Sequence, residues 1–267
     1  MAIVKTDNRY YADIADAIRS RGVSGGFKPS QMSDAIAGIS AGETVSDGIL
    51  IKSRDAQGFP TELNIYGDLW KNALSYEGEY YHNTVGWQKV TTINLKTNQT
   101  ALTQGCFFGM QSLASITGLD AITTVNKFCL CDTRIANLSL PSVTKISYEK
   151  PFSNNPALTT VSIPNASGEL TAGTYELFGG CTALQNVVLG SVGHGFTAAG
   201  RNAFKNCTQQ DLTITIYSTG TNADALLSGI RNGATNATII IKASENTVYG
   251  GANYSAGSTI VTSEAST

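Results

Sequence analysis

The sequence predicts a mainly β solenoid of about six coils, preceded by an α-helical hairpin and followed by a small α/β cap. Three observations carry this expectation. A short phrase, F-x-x-[MCN], returns five times along the chain. Each copy leads at nearly constant spacing into an alternating, strand-like run. The stretches outside the copies change periodicity, to a helical one before them and a mixed one after.

The phrase pairs Phe107 with Met110, Phe128 with Cys131, Phe152 with Asn155, Phe178 with Cys181 and Phe204 with Cys207. Behind it lie LASITGL, IANLSL, LTTVSI, LQNVVL and LTITIY, which align Ile116, Leu138, Val161, Val187 and Ile214. An earlier run, VTTINL, adds Ile93. From the Phe to the aligned strand residue the chain takes 9 or 10 residues in every unit, while the return to the next Phe takes 12 to 17. One half of the unit is therefore fixed and the other absorbs the length variation. Steps of 23, 22, 23, 26 and 27 residues between aligned strand residues suit one short strand per coil. Equivalent side chains then stack in ladders about 4.8 Å apart. The expected repeat core is Phe107, Phe128, Phe152, Phe178 and Phe204 with Cys131, Cys181 and Cys207.

The cysteines, Cys106, Cys129, Cys131, Cys181 and Cys207, are odd in number and lack the paired CxxC spacing of a zinc site. They read as buried small hydrophobes. Cys181 and Cys207 fall on adjacent coils, where a disulfide is open but not required.

FSNNPALTTVSIP (152–164) and FGGCTALQNVVL (178–189) resemble the leucine-rich repeats of the BspA type, whose pattern is F-x-x-C-x-x-L-x-x-[IV]-x-[IL]-P. The resemblance spans roughly residues 60–217 and implies a solenoid of the leucine-rich-repeat type. Asn155 and Met110 stand where the pattern has Cys, and CDTRI and CTQQDL each carry an extra residue.

Four segments follow: 1–42 a helical hairpin for docking or oligomerisation, 43–90 an N-terminal cap and first coil, 91–217 the solenoid, and 218–267 a C-terminal cap with a mobile tail. In the first, Ile14 and Ile18 stand at i, i+4, and Met32, Ile36 and Ile39 at i, i+4, i+7, with Gly25 and Gly26 between the two helices. A hairpin this small needs a partner for its apolar face. The stretches YADIADAIR and FKPSQMSDAI resemble the opening of structural proteins of phages and prophages of Gram-positive hosts, found in tail, baseplate or fibre. In 47–68, two strand-like runs flank a polar turn at RDAQG; Trp70, Tyr80, Tyr81 and Trp87 follow as end-cap residues or a sugar-stacking platform. Near the far end, NADALLSGIRN reads as helix and ATIIIKA as a last strand, before a Gly- and Ser-rich terminus.

Composition narrows the function. Charged residues are 14% of the chain, against an average of about 25%, and the net charge is −2. Such a surface offers no field for phosphate, so no nucleic-acid partner is expected. The longest apolar runs are a few residues, so no membrane insertion is expected, and the opening residues lack the apolar stretch of a secretory signal. His82 and His194 sit in no nucleophile or metal motif, Glu77 and Glu79 read as solvated loop charges, and no phosphate- or calcium-binding loop is present. The expectation is a non-enzyme without catalytic residues, metal or cofactor.

What remains is display. The longest variable halves, 164–175 and 190–202, bring Tyr175, His194 and Phe196, and Tyr148 lies in the equivalent half of an earlier coil. Insertions in solenoids gather on one side, so these four are the candidate receptor contacts, for a host-surface glycan or protein. The expected function is a phage virion structural protein that presents the repeats for host attachment, joined to other virion proteins through its N-terminal segment and forming a homo-oligomer, with a trimer as one form. Alternatives are a bacterial surface or secreted adhesin, and a purely architectural virion part such as a head decoration.

Overall fold

The computed structural model describes residues 48–67, 87–146, 149–167, 176–191, 202–217, 223–231, 233–243 and 246–263. Strands β1 (Gly48–Arg54) and β2 (Pro60–Tyr66) form an antiparallel hairpin around the RDAQG turn. Asp55 closes that turn, its carboxylate accepting from the N–H groups of Gln57 at 3.0 Å and Phe59 at 2.8 Å. β2 then pairs in parallel with β3 (Thr92–Leu95), and β3 with β5 (Ser115–Thr117). A second sheet runs β7 (Asn137–Ser139), β9 (Thr160–Ser167), β10 (Asn186–Ser191), β11 (Thr213–Ile216) and β12 (Thr238–Lys242), all parallel, and ends on antiparallel β15 (Thr259–Thr262). A third, narrow sheet joins β4 (Ala101–Leu102), β6 (Thr124–Val125) and β8 (Lys145–Ile146) in parallel. Helix α1 (Ala223–Arg231) connects β11 to β12, and the hairpin of β13 (Thr247–Tyr249) and β14 (Ala252–Tyr254) precedes β15.

Alternation along each strand sends every second side chain inward. Pairing places Leu63, Ile93 and Ile116 in one inward row and Leu138, Val161, Val187, Ile214 and Ile239 in the matching row of the second sheet. A parallel row stacks Ile163, Leu189, Ile216, Ile241 and Ile260, all buried. Uncharged β-branched and Leu side chains fill these rows, and burying each contributes about 1.5–3 kcal/mol.

The turns carry a second ladder. The N–H of Phe178 donates to the carbonyl of Ala203 at 2.7 Å, that of Phe107 to Cys129 at 3.0 Å, and that of Leu130 to Pro151 at 3.0 Å. Each donor lies beside the residue after its acceptor, so the stack reads Phe107, Leu130, Phe152, Phe178, Phe204, all at most 1% exposed. The ring centroids of Phe152 and Phe178 are 5.5 Å apart with nearly parallel planes, and those of Phe178 and Phe204 are 5.3 Å apart. Two residues before the stack position the backbone is left-handed in every turn, at Gly105, Phe128, Lys150, Glu176 and Asn202; two residues after, it is left-handed again, at Gly109, Asp132, Asn154, Gly180 and Asn206.

This frame corrects the second unit. Phe128 and Cys131 are not its repeat-core pair; Leu130 takes the Phe place and Thr133 the Cys place. β4 and β6 pair Leu102 with Val125, and the stack residue follows five positions later in both, at Phe107 and at Leu130. Phe128 is only half-buried, edge-on to Phe108 at 6.0 Å between ring centroids. Cys131 is buried, one residue past the stack.

In the last three turns the residue three places after the stack position has a specific task. Cys207 donates to the carbonyl of Phe178 at 3.2 Å, Cys181 to that of Phe152 at 3.2 Å, and Asn155, through Nδ2, to that of Leu130 at 2.9 Å. Asn155 can thus stand where Cys181 and Cys207 do because each donates to a carbonyl one coil back. All five cysteines are free thiols and buried. Burial pushes Cys106, Cys131 and Cys207 up to about 12, and Cys129 and Cys181 also well above the usual thiol value.

The fold class is therefore corrected to a β solenoid of five stacked turns rather than six, named by Phe107, Leu130, Phe152, Phe178 and Phe204. The expected N-terminal helical hairpin, with Ile14, Ile18, Met32, Ile36 and Ile39, lies outside the described residues and is not shown. Among the described residues α1 is the one α-helix. At the C-terminal end, Arg231 on α1 donates to the carbonyl and hydroxyl of Thr262, each at 3.2 Å, and ties the helix to β15. The Gly- and Ser-rich end is built into this cap through β13, β14 and β15.

Candidate functional site

The same alternation that buries the ladders turns two rows outward. In the second sheet one row holds Asn137, Thr160, Asn186, Thr213 and Thr238; the other holds Ser139, Ser162, Val188, Thr215 and Ile240. Neither row contains a charged residue. Over β7, β9 and β10 they line a shallow groove of about 350 Å³, walled by Asn137, Ser139, Thr160, Ser162, Asn186 and Val188.

Hydrogen bonding separates this groove from the first sheet. There Asn94 donates through Nδ2 to Glu62 at 2.9 Å and to Asn64 at 3.1 Å, and accepts from the Thr117 hydroxyl at 2.9 Å. Those polar groups are spent on one another. In the groove, Asn137 accepts from the hydroxyls of Thr160 and Thr159. Ser139, Ser162 and Asn186 make no side-chain hydrogen bond to another described residue, and Ser139 and Asn186 are exposed. Their amide and hydroxyl groups are both donors and acceptors, about 4.8 Å apart from strand to strand. Such a surface matches a neutral ligand rich in hydroxyl or amide groups and does nothing to attract an ion.

Charge sits instead on the turn edge. Glu176 contacts Lys150 and Lys205, each at 2.9 Å, which links three consecutive coils, and Lys127 pairs with Glu149 at 3.4 Å. Burial raises the Glu176 carboxyl, but the hydrogen bonds and charges of the two lysines outweigh it and hold the group below its ordinary value. These are clamps between coils.

Of the residues singled out from the sequence as receptor contacts, Tyr148, Tyr175, His194 and Phe196 lie outside the described residues, as do Trp70, Tyr80, Tyr81 and His82. Trp87 is half-buried and packs against the core, as an end-cap residue does. The groove residues do not stand out in the sequence, because they are small and uncharged while the long loops carry the bulky side chains. Their signal was present: they are the neighbours of Leu138, Val161 and Val187, and an inward ladder position implies outward ones on either side.

Among the described residues no helix is long and apolar enough to cross a membrane, and no cluster of His, Cys, Asp and Glu could hold a metal ion. A search of curated proteins and a search of solved structures each returned no match. A family profile, BspA type leucine rich repeat region, matches residues 81–211 and 174–223, in six copies. Those matches extend over more than half of the sequence and cover all five turns of the stack, and the chain belongs to the BspA-type leucine-rich-repeat family.

Proposed function

We propose that the chain is a display protein that uses its strand face to attach to a host surface, as a structural component of a phage particle. The repeat family supports a surface or adhesion-type repeat protein. The observation that carries attachment is the uncharged groove over β7, β9 and β10, whose Ser139, Ser162 and Asn186 have hydrogen-bonding capacity to spare. A host-surface glycan, or a neutral stretch of a surface protein, has the complementary groups. The role requires no catalytic residue, metal or cofactor, and no contact with nucleic acid. Placement in a tail, baseplate or fibre rests on the resemblance of YADIADAIR and FKPSQMSDAI to phage structural proteins. A bacterial surface adhesin is the second reading, favoured by the repeat family taken alone.

The test is adsorption of particles carrying Ser162→Arg and Asn186→Arg, which fill the groove with charge while leaving the inward ladders untouched. Normal assembly with lost adsorption is the expected result. Unchanged adsorption would refute recognition by this face and favour an architectural role. Intact chain on bacterial walls, with none in particles, would favour the adhesin.

A further inference from the structure

The two ends of the solenoid are closed by antiparallel strands of opposite character. β1 carries Lys52 and Arg54, and its pairing with β2 is interrupted by register shifts between Ile51 and Ser53 and between Ser53 and Arg54. Bulges and cations on an edge strand obstruct the addition of another strand. β15, with the sequence Thr-Ile-Val-Thr, has no charge, proline or register shift. It is the last strand of its sheet among the described residues.

Its ladder fixes which groups face away. The Ala243 N–H donates to the Ser258 carbonyl at 3.0 Å. Bonded pairs alternate along an antiparallel ladder, so Ile260 and Thr262 turn their backbone groups to β12 while Thr259 and Val261 turn theirs outward. Both residues are exposed, and Val261, at 59%, is the most exposed large hydrophobic among the described residues. It stands in register with Ile240, so an apolar strip on the outward face runs to the edge of the sheet.

We propose that β15 is the pairing edge for a second copy of this chain, joined antiparallel about a two-fold axis near Ile260. No residue of β15 itself is charged, Lys242 of β12 is held beside it on the Thr259 hydroxyl at 3.1 Å, and Thr-Ile-Val-Thr presents the same polarity in both directions. The outward groups of Thr259 lie opposite those of the second copy's Val261, which makes the two Val261 side chains diagonal neighbours across the join. A two-fold contact closes at two copies. Head-to-tail pairing with β1 is opposed by the bulges and by Lys52.

The experiment is sedimentation of the full chain over a concentration series, with hydrogen exchange in parallel. Mass should double with concentration, and the amides of Thr259 and Val261 should slow as it does. Val261→Lys should weaken the dimer at least about tenfold, with its thermal unfolding unchanged at concentrations where both chains are monomeric, because the side chain is exposed in the monomer; Lys52→Glu on β1 should have no effect. A chain that stays monomeric to about 1 mM, association that Val261→Lys leaves unaltered, growth beyond two copies, or unprotected Thr259 and Val261 amides in the dimer would each overturn the proposal.

Discussion

Asn155 is the most heavily used polar side chain in the core among the described residues, and its removal tests the physics of the turn ladder. It is 2% exposed. Its Nδ2 donates to the carbonyls of Leu130 at 2.9 Å and Phe152 at 2.7 Å, and its Oδ1 accepts from the Thr133 N–H and hydroxyl, both at 2.7 Å. In Asn155→Ala the Phe152 carbonyl keeps Cys181 as a donor. The Leu130 carbonyl and both Thr133 donors lose the only partners they have among the described residues. An orphaned buried polar group costs about 1–3 kcal/mol, so three should sum to about 3–5 kcal/mol once partial relaxation is allowed. In a domain of this size that lowers the melting temperature by about 10 °C. Asn155→Cys restores the donor that Cys181 and Cys207 supply in the next two turns, but leaves both Thr133 donors unpaired, and should recover about a third of the loss. Urea unfolding followed by circular dichroism would measure both variants, with an unchanged m-value confirming that the same structure unfolds. In a Thr133→Val background, Asn155→Ala should cost about 1 kcal/mol less than in the parent, which reports the side-chain coupling directly. If Asn155→Ala falls within about 1 kcal/mol of the parent, or if Cys at this position is no better than Ala, the carbonyl-closing role assigned to it is wrong.

Three further outcomes follow from the same framework. Leu130→Ala should cost about 2–5 kcal/mol, as for a fully buried core side chain, whereas Phe128→Ala should cost about 1 kcal/mol; the reverse order would restore the frame that starts at Phe128. Glu176→Gln should cost about 1 kcal/mol at neutral pH, because two partly exposed lysine contacts are lost. The Glu176 carboxyl is held low in the folded state, so its contribution is present above the ordinary carboxylate value and vanishes as pH falls through the depressed one. Parent and variant should therefore converge in stability at acid pH; a gap that persists or widens there would show that Glu176 acts by packing. Finally, burial keeps the thiols protonated, with Cys106, Cys131 and Cys207 at about 12, so thiol reagents at pH 8 should label the chain only as fast as it opens. Labelling that outpaces amide exchange in the core would contradict this burial.

The strand half of each coil was legible in the sequence because its signal is strict. Ile93, Ile116, Leu138, Val161, Val187 and Ile214 align by spacing, and they fall in the inward rows that the pairing describes. The turn half was harder, since one residue stretch satisfies two frames: FCLCDT offers Phe128 with Cys131 and Leu130 with Thr133 at equal spacing. Conserving a large aromatic favours the first; keeping step with β4 and β6 requires the second, and cooperative stacking decides in its favour. Choosing Leu130 places Phe128 in the left-handed region, at φ 56, where a bulky residue pays about 1–2 kcal/mol. The alternative would shift one turn against its neighbours and break the carbonyl contact made by Asn155. The groove was illegible for the opposite reason. Its residues are small, uncharged and individually ordinary, and only register brings Asn137, Thr160 and Asn186 side by side. In a solenoid, recognition chemistry of this kind is a property of the row. A search of the sequence for distinctive residues passes over it, whereas the inward ladder, once aligned, already specifies where the row must be.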